Sequence, residues 1–204
     1  HSLSSLGLAV STGRVVDFRA RRHLLKEPTG GSAPLIYPGH FSNGFVEWPR
    51  PDYRKPNAIE SLPATASLLI PSAVYTLVKR FSAKEERRRI VSAVFDPARV
   101  ACEVVGFENH LNYFHAHGTG LPMVVAKGLA AFLNSTVVDD YFRQFNGHTQ
   151  VNATDLRSLP YPSRQTLVAL GGEIPDAMPS QADVDALIDR VVFADPRTGR
   201  AAYA

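Results

Sequence analysis

Five prolines, Pro34, Pro38, Pro49, Pro51 and Pro56, fall within the stretch from Ala33 to Pro56. Proline has no amide hydrogen and its ring clashes with the preceding helical turn, so this stretch cannot be a helix interior. Its short apolar and aromatic pieces, around LIYP and GFVEWP, are expected as irregular strands and loops.

The same β style holds on either side. Leu6 to Phe18 is apolar and β-branched with Gly13 in its middle, which predicts two short strands around a turn. Ala73 to Phe81 and Arg89 to Phe95 predict two neighbouring strands joined by the charged SAKEERR connector, and Val100 to His115 continues in kind. A clear helical pattern starts only after Pro122. From Met123 to Phe145 apolar residues recur at three- and four-residue steps, with a possible break at Asn134-Ser135. Weaker helical pieces lie at Gln165 to Leu170 and Gln181 to Phe193. The expected fold class is therefore α+β, with a β-rich domain over residues 1–163, a supporting helical region inside it, and a helical C-terminal tail over 164–204.

A length of 204 residues with 45% apolar side chains suffices for one good-sized core. Lys plus Arg number 22 against 19 for Asp plus Glu, a balance that suits a nucleic-acid partner without requiring one. The single cysteine, Cys102, excludes an internal disulfide framework and a cysteine-rich zinc site, and points to a reducing, cytoplasmic setting. No apolar run approaches the roughly 18 residues of a membrane span, so no membrane partner is expected. The chain opens on His1-Ser2 and runs at once into strand-like sequence, as expected of a segment of a longer protein or of a tag remnant.

Four blocks carry a resemblance: TGRVVDFR, VKRFSAKEERRRIVSAVF, VGFENHLNYFH and LNSTVVDDYFRQFNGHTQVNATDLRSLPYPS. Together they resemble the C-terminal region of type II adenine DNA methyltransferases of the gamma class, the group that includes the Taq enzyme. The last block is also similar to the end of recognition domains in type I specificity subunits. In that family a separate catalytic domain binds S-adenosylmethionine and carries an Asn/Asp-Pro-Pro-Tyr/Phe motif that holds the adenine amino group. This chain contains no Pro-Pro dipeptide and no glycine-bearing cofactor loop after an opening strand. The resemblance thus implies a DNA target-recognition role in a restriction-modification system. S-adenosylmethionine and methyl transfer would belong to a catalytic domain of the parent chain, and a nuclease domain or subunit is a possible further partner.

The candidate contacts to double-stranded DNA fall into groups, each with a plainer alternative. Arg14, Arg19, Arg21 and Arg22 suit guanine edges or phosphates, or are a solvated arginine-rich turn. Lys79, Arg80, Lys84, Arg87 and Arg88, followed by Arg89, form the densest basic run; they suit phosphates, or form a loop salt-bridged to Glu85 and Glu86. Asn109, His110 and Asn112 alternate with apolar residues as on one face of a strand, where Asn can read adenine or merely tie loops together. Tyr37, Phe41, Phe45, Trp48 and Tyr53 are expected as core rather than as base-stacking platforms.

Arg143, His148, Thr149 and Gln150 complete the set. From Gly147 to Asp155 an architectural role is expected: Gly147 as a left-handed helix cap, Asn152 and Asp155 as a reciprocal cap on the next helix, and Leu156 and Leu159 as anchors. Direct contact by His148, Thr149 or Gln150 is the alternative. Two other functions compete with DNA recognition, a self-contained metal-dependent nuclease and a protein-interaction module. For the nuclease, the dispersed Glu47, Asp96, Glu103, Glu108, Asp139 and Asp140 give no convincing metal-binding pairing. His115 and His117 lack a third ligand.

Overall fold

The computed structural model describes residues 1–83, 85–147 and 149–193. In chain order its strands and helices begin with β1 (Ala9–Thr12), α1 (Asp17–Ala20), β2 (Leu24–Leu25), β3 (Ser32–Ile36), β4 (Phe41–Ser42) and β5 (Phe45–Val46). Then come β6 (Ala58–Glu60), β7 (Leu69–Pro71), β8 (Tyr75–Lys79), β9 (Ser92–Phe95), β10 (Val104–Phe107) and β11 (Leu111–His115). The helical part follows as α2 (Met123–Leu133), α3 (Thr136–Phe145), α4 (Ala153–Ser158), α5 (Arg164–Gly172) and α6 (Gln181–Val191). The fold is α+β.

Two mixed sheets, ordered β1-β11-β8-β9-β5-β4 and β2-β6-β3-β10-β7, stack against each other. Strand alternation sets which side chain enters which layer. In β8, Tyr75 and Leu77 point into the core between the sheets, beside Phe95, Val105 and Phe107. Val78 points the other way, to the helices. Thr76 shares that direction and donates its hydroxyl to the Ala126 carbonyl at 3.0 Å. The far face of the second sheet is closed by Val15, Ala20, Tyr37 and their neighbours.

Pro34 sits in a central strand without breaking it. The Leu35 amide donates to Asn57 on the β6 side, so the donor that Pro34 lacks would face β10, whose register starts only at Leu35.

The two strands expected from Leu6 to Phe18 reduce to one. After β1 the chain makes only a bridge, Val15 to Glu108, and then turns into α1. Gly13 is required for a close approach rather than for a turn, since a Cβ there would stand 2.2 Å from the Glu108 carbonyl oxygen. The break at Asn134-Ser135 is real. Ser135 caps α3 through the Val138 amide, and the Asn134 side chain exchanges two bonds with the Ser92 backbone, fixing the break to β9.

Residues 164–193 of the expected tail join the same apolar core as α2, with Leu167, Leu170, Val184 and Ile188 packed with Leu129, Phe132 and Phe114, while 194–204 lie outside the described residues. α2 and α5 touch backbone to backbone. A Cβ on Gly128 would lie 1.9 Å from the Leu167 carbonyl oxygen, and one on Gly171 would lie 1.7 Å from that of Val124. Among the described residues no helix is long and apolar enough to cross a membrane.

Candidate nucleic-acid interface

The turn from Glu108 to His110, between β10 and β11, is a junction between two basic segments. On one side the strand-like piece before α1 docks onto it, with the Val15 amide donating to Phe107 at 3.0 Å and the Asn109 amide donating to Val15 at 2.8 Å. On the other side Arg80 donates to the Asn109 carbonyl at 3.1 Å and to Gln150 Oε1 at 3.3 Å. Of the candidate DNA contacts, Arg80, Asn109, His110 and Gln150 meet at this junction, and Arg14 directly precedes the Val15 that docks on it.

Glu108 is fully buried, and its carboxylate accepts from the His110 amide at 2.8 Å and faces His110 Nδ1 at 2.6 Å. Burial pushes the Glu108 carboxyl above the usual carboxylate range, and the bonds from His110 pull the other way. The His110 ring also packs on Phe81, centroids 4.6 Å apart, and the Arg80 guanidinium lies 5.5 Å from the Phe81 centroid. Phe81 is bridged to Gln150, and the Ser82 amide donates to the Thr149 carbonyl at 3.1 Å. Gly147, Thr149, Gln150 and Asn152 line an open depression beside this cluster.

Arg80 Nε is buried without a partner among the described residues. Asn112 is fully buried, takes the Thr12 hydroxyl on Oδ1 at 3.0 Å and donates to the Val151 carbonyl at 2.7 Å. Its place among the DNA contacts is therefore corrected: with both ends of the amide engaged inside the protein, Asn112 ties β11 to the 150 segment.

The dense run around Arg87 is largely taken up by partners within the protein, although of its described members only Arg89 is buried. Lys79 pairs with Glu86 at 2.6 Å, and the Lys79 cation holds the Glu86 carboxyl below its ordinary range. Arg88 donates to the Thr136 hydroxyl at 2.9 Å. Arg143 pairs with Asp139 at 2.8 Å and donates to the Glu86 carbonyl at 2.9 Å. Arg89 is 1% exposed and lies inside the protein, with Nε on the Ser82 hydroxyl and Nη2 on Asn146 Oδ1. Arg87 is exposed. Lys84 and His148 lie outside the described residues.

Arg14, Arg19, Arg21 and Arg22 are all exposed, and among the described residues none has a carboxylate within ion-pair distance. The piece beneath them is firmly held, because the Asp17 carboxylate takes the Tyr37 hydroxyl at 2.6 Å and the Lys55 ammonium at 2.7 Å. Tyr37 and Phe45 are buried in the core, as expected, while Trp48 is half-buried and donates its indole N–H to the Asn57 carbonyl. Sequence reasoning missed Phe18, which is 75% exposed between these arginines. Its position in a β-branched apolar run hid it.

From Gly147 to Asp155 the outcome is divided. α3 stops at Asn146, in extended backbone, rather than at a glycine cap. Asn152 and Asp155 do form the reciprocal cap of α4, with Asp155 accepting the Asn152 amide at 2.9 Å. Leu156 and Leu159 are buried.

The chain is 48% identical to the type II methyltransferase M.PstI of Providencia stuartii over 189 residues, 93% of this chain and 37% of that protein. With the type II methyltransferase M.BsuBI of Bacillus subtilis it shares 47% identity over 197 residues, 96% of this chain and 39% of that protein. Its homologues are type II methyltransferases. The chain spans less than two fifths of the length of these curated relatives. The solved structure of the type IIG restriction endonuclease BpuSI matches the whole chain at a TM-score of 0.55 over 30% of that protein, at 11% identity, a likeness of fold. No protein-family model matches the chain.

Methyltransferase relatives imply S-adenosylmethionine, and the described residues do not fit it. Among the described residues parallel pairing is limited to β3 with β10, β5 with β9 and the isolated Val15–Glu108 bridge, so these residues form no run of parallel strands opening onto helix N-termini to cradle a cofactor. Among the described residues no group of three or more His, Cys, Asp or Glu side chains could hold a metal ion.

Proposed function

We propose that this chain is the DNA target-recognition part of a restriction-modification adenine methyltransferase of the gamma class. One observation carries the reading: nearly all of the chain aligns with just over a third of two type II methyltransferases, while the chain has no Pro-Pro dipeptide. The part it represents is then not the part that holds the base. Residues 1–163 would form the recognition domain and 164–204 a helical tail that is packed on it rather than separate from it, since α5 docks Gly171 against α2. The catalytic domain in the same parent chain would bind S-adenosylmethionine, and a nuclease domain or subunit is a further partner.

In this reading the Glu108–His110 junction is the centre of the DNA-facing surface. Arg80 and Gln150 flank it on one side and the exposed arginines on the other. A base within the stack is unreachable for chemistry, so the surface holds a particular duplex while its adenine is extruded into the catalytic pocket.

The 204-residue chain should bind duplex DNA at low salt, with a log-log salt slope of about 0.9 per phosphate contact, and should show no S-adenosylmethionine binding by calorimetry. Cofactor binding by the chain alone, or no duplex binding at low salt, would overturn the assignment.

A further inference from the structure

Among the described residues Phe18 is the most exposed large apolar side chain, at 75%, and it takes no part in the core. Its neighbours explain why it points outward. On α1 the Asp17 carboxylate is drawn inward by Tyr37 and Lys55, and Ala20 is buried, so Phe18 and Arg19 take the solvent side of the turn. The segment that carries it is held by Val15, which is fully buried and bonded through its backbone to Phe107 and Asn109. The ring therefore stands on a fixed support, with the Arg19 guanidinium 5.5 Å from its centroid and the exposed Arg21 and Arg22 three and four residues further along the chain.

An exposed aromatic among arginines without carboxylate partners is poorly matched to another protein's apolar face, which would bury those charges unpaired. It is well matched to a polyanion that also offers flat apolar faces. We infer that Phe18 is a stacking wedge for duplex DNA: the arginines hold the phosphates on either side and the ring enters between bases at a deformable step. The inference rests on the proposed recognition role and adds to it a contact that acts through base stacking rather than charge or hydrogen bonding. The rigid support matters because a ring already in position loses little freedom on insertion.

The test uses the 204-residue chain, a duplex of about 20 base pairs rich in TA and CA steps, and heparin as a polyanion without bases. Phe18→Trp adds a second indole to the chain's single tryptophan, Trp48, so its emission is obtained by difference from the wild type. Expected are quenching of that emission by duplex but not by heparin, and about tenfold weaker duplex binding by Phe18→Ala. Because only charge sets the salt slope, Phe18→Ala should keep the wild-type slope, and its melting temperature should be unchanged. Equal quenching by heparin, or unchanged affinity of Phe18→Ala alongside normal wild-type binding, overturns the wedge and leaves the recognition role standing. Failure of the wild type to bind duplex at low salt overturns both.

Discussion

Between Lys79 and Arg89 the sequence carries six basic side chains, and between Arg14 and Lys26 it carries five. The fold treats the two segments differently. In the first, Arg89 is interior, Lys79 is paired with Glu86, and Arg88 reaches the hydroxyl of Thr136. In the second, Arg19, Arg21 and Arg22 stand in solvent on a braced turn. The denser run has polar partners packed over it by α3 and its C-cap, at Asp139, Arg143 and Asn146, whereas among the described residues Phe18 and Arg19 of α1 stand exposed. Basic density along a chain therefore measures charge that is present, and burial decides how much of it a phosphate can meet.

The largest effect should come from the interior member. Arg89→Ala removes bonds to the Ser82 hydroxyl and to Asn146 and leaves those groups buried, so a loss of about 3 kcal/mol is expected in urea unfolding. Arg87→Ala, at an exposed position two residues away, should stay within about 0.5 kcal/mol. Equal, small effects at both positions would mean that the contrast between interior and surface charge is wrong.

The fold class and the helical break were legible because period and capping are local. Asn134 and Ser135 announce a break whatever packs on them, and α2 and α3 follow the apolar spacing on either side. α1 was not legible. Its four residues are helical because Asp17 finds Tyr37 and Lys55, twenty and thirty-eight residues away, and no local pattern carries that. The same holds for the contact of Gly128 with α5, which looks in sequence like two helix-weakening glycines. At the candidate site, residue types were legible but direction was not. Asn112 and Asn109 have the same side chain three residues apart, and only the register of β11 against β1 shows that Asn112 opposes Thr12 and points inward.

A smaller effect separates scaffold from surface within the 147–155 segment. Asn152→Ala breaks the cap of α4 and should lower stability by roughly 1 kcal/mol. Gln150→Ala removes one bond to Arg80 at 3.3 Å and should change melting little. Duplex binding by Gln150→Ala, compared across single-base variants of a bound sequence, then shows whether the side chain reads a base. Relaxed preference at one position would make it a reader, and uniform affinity would confine it to orienting Arg80.

The smallest change in stability and the sharpest test of the comparison come from neutralising the exposed arginines. Arg19→Gln, Arg21→Gln and Arg22→Gln remove no ion pair and no buried contact, so each should alter unfolding by less than about 0.5 kcal/mol. Each that meets a phosphate should lower the salt slope of duplex binding by about 0.9, up to roughly 2.7 for the triple variant. Lys79→Gln, whose ammonium already pairs with Glu86, should leave the slope near its wild-type value. The slope separates these cases better than affinity does, because affinity also falls when a loop loosens, whereas counterion release depends on how many phosphates are neutralised. If Lys79→Gln lowers the slope as much as Arg21→Gln does, the pair with Glu86 opens on binding, and the internally partnered run is a reserve of charge that DNA can draw out.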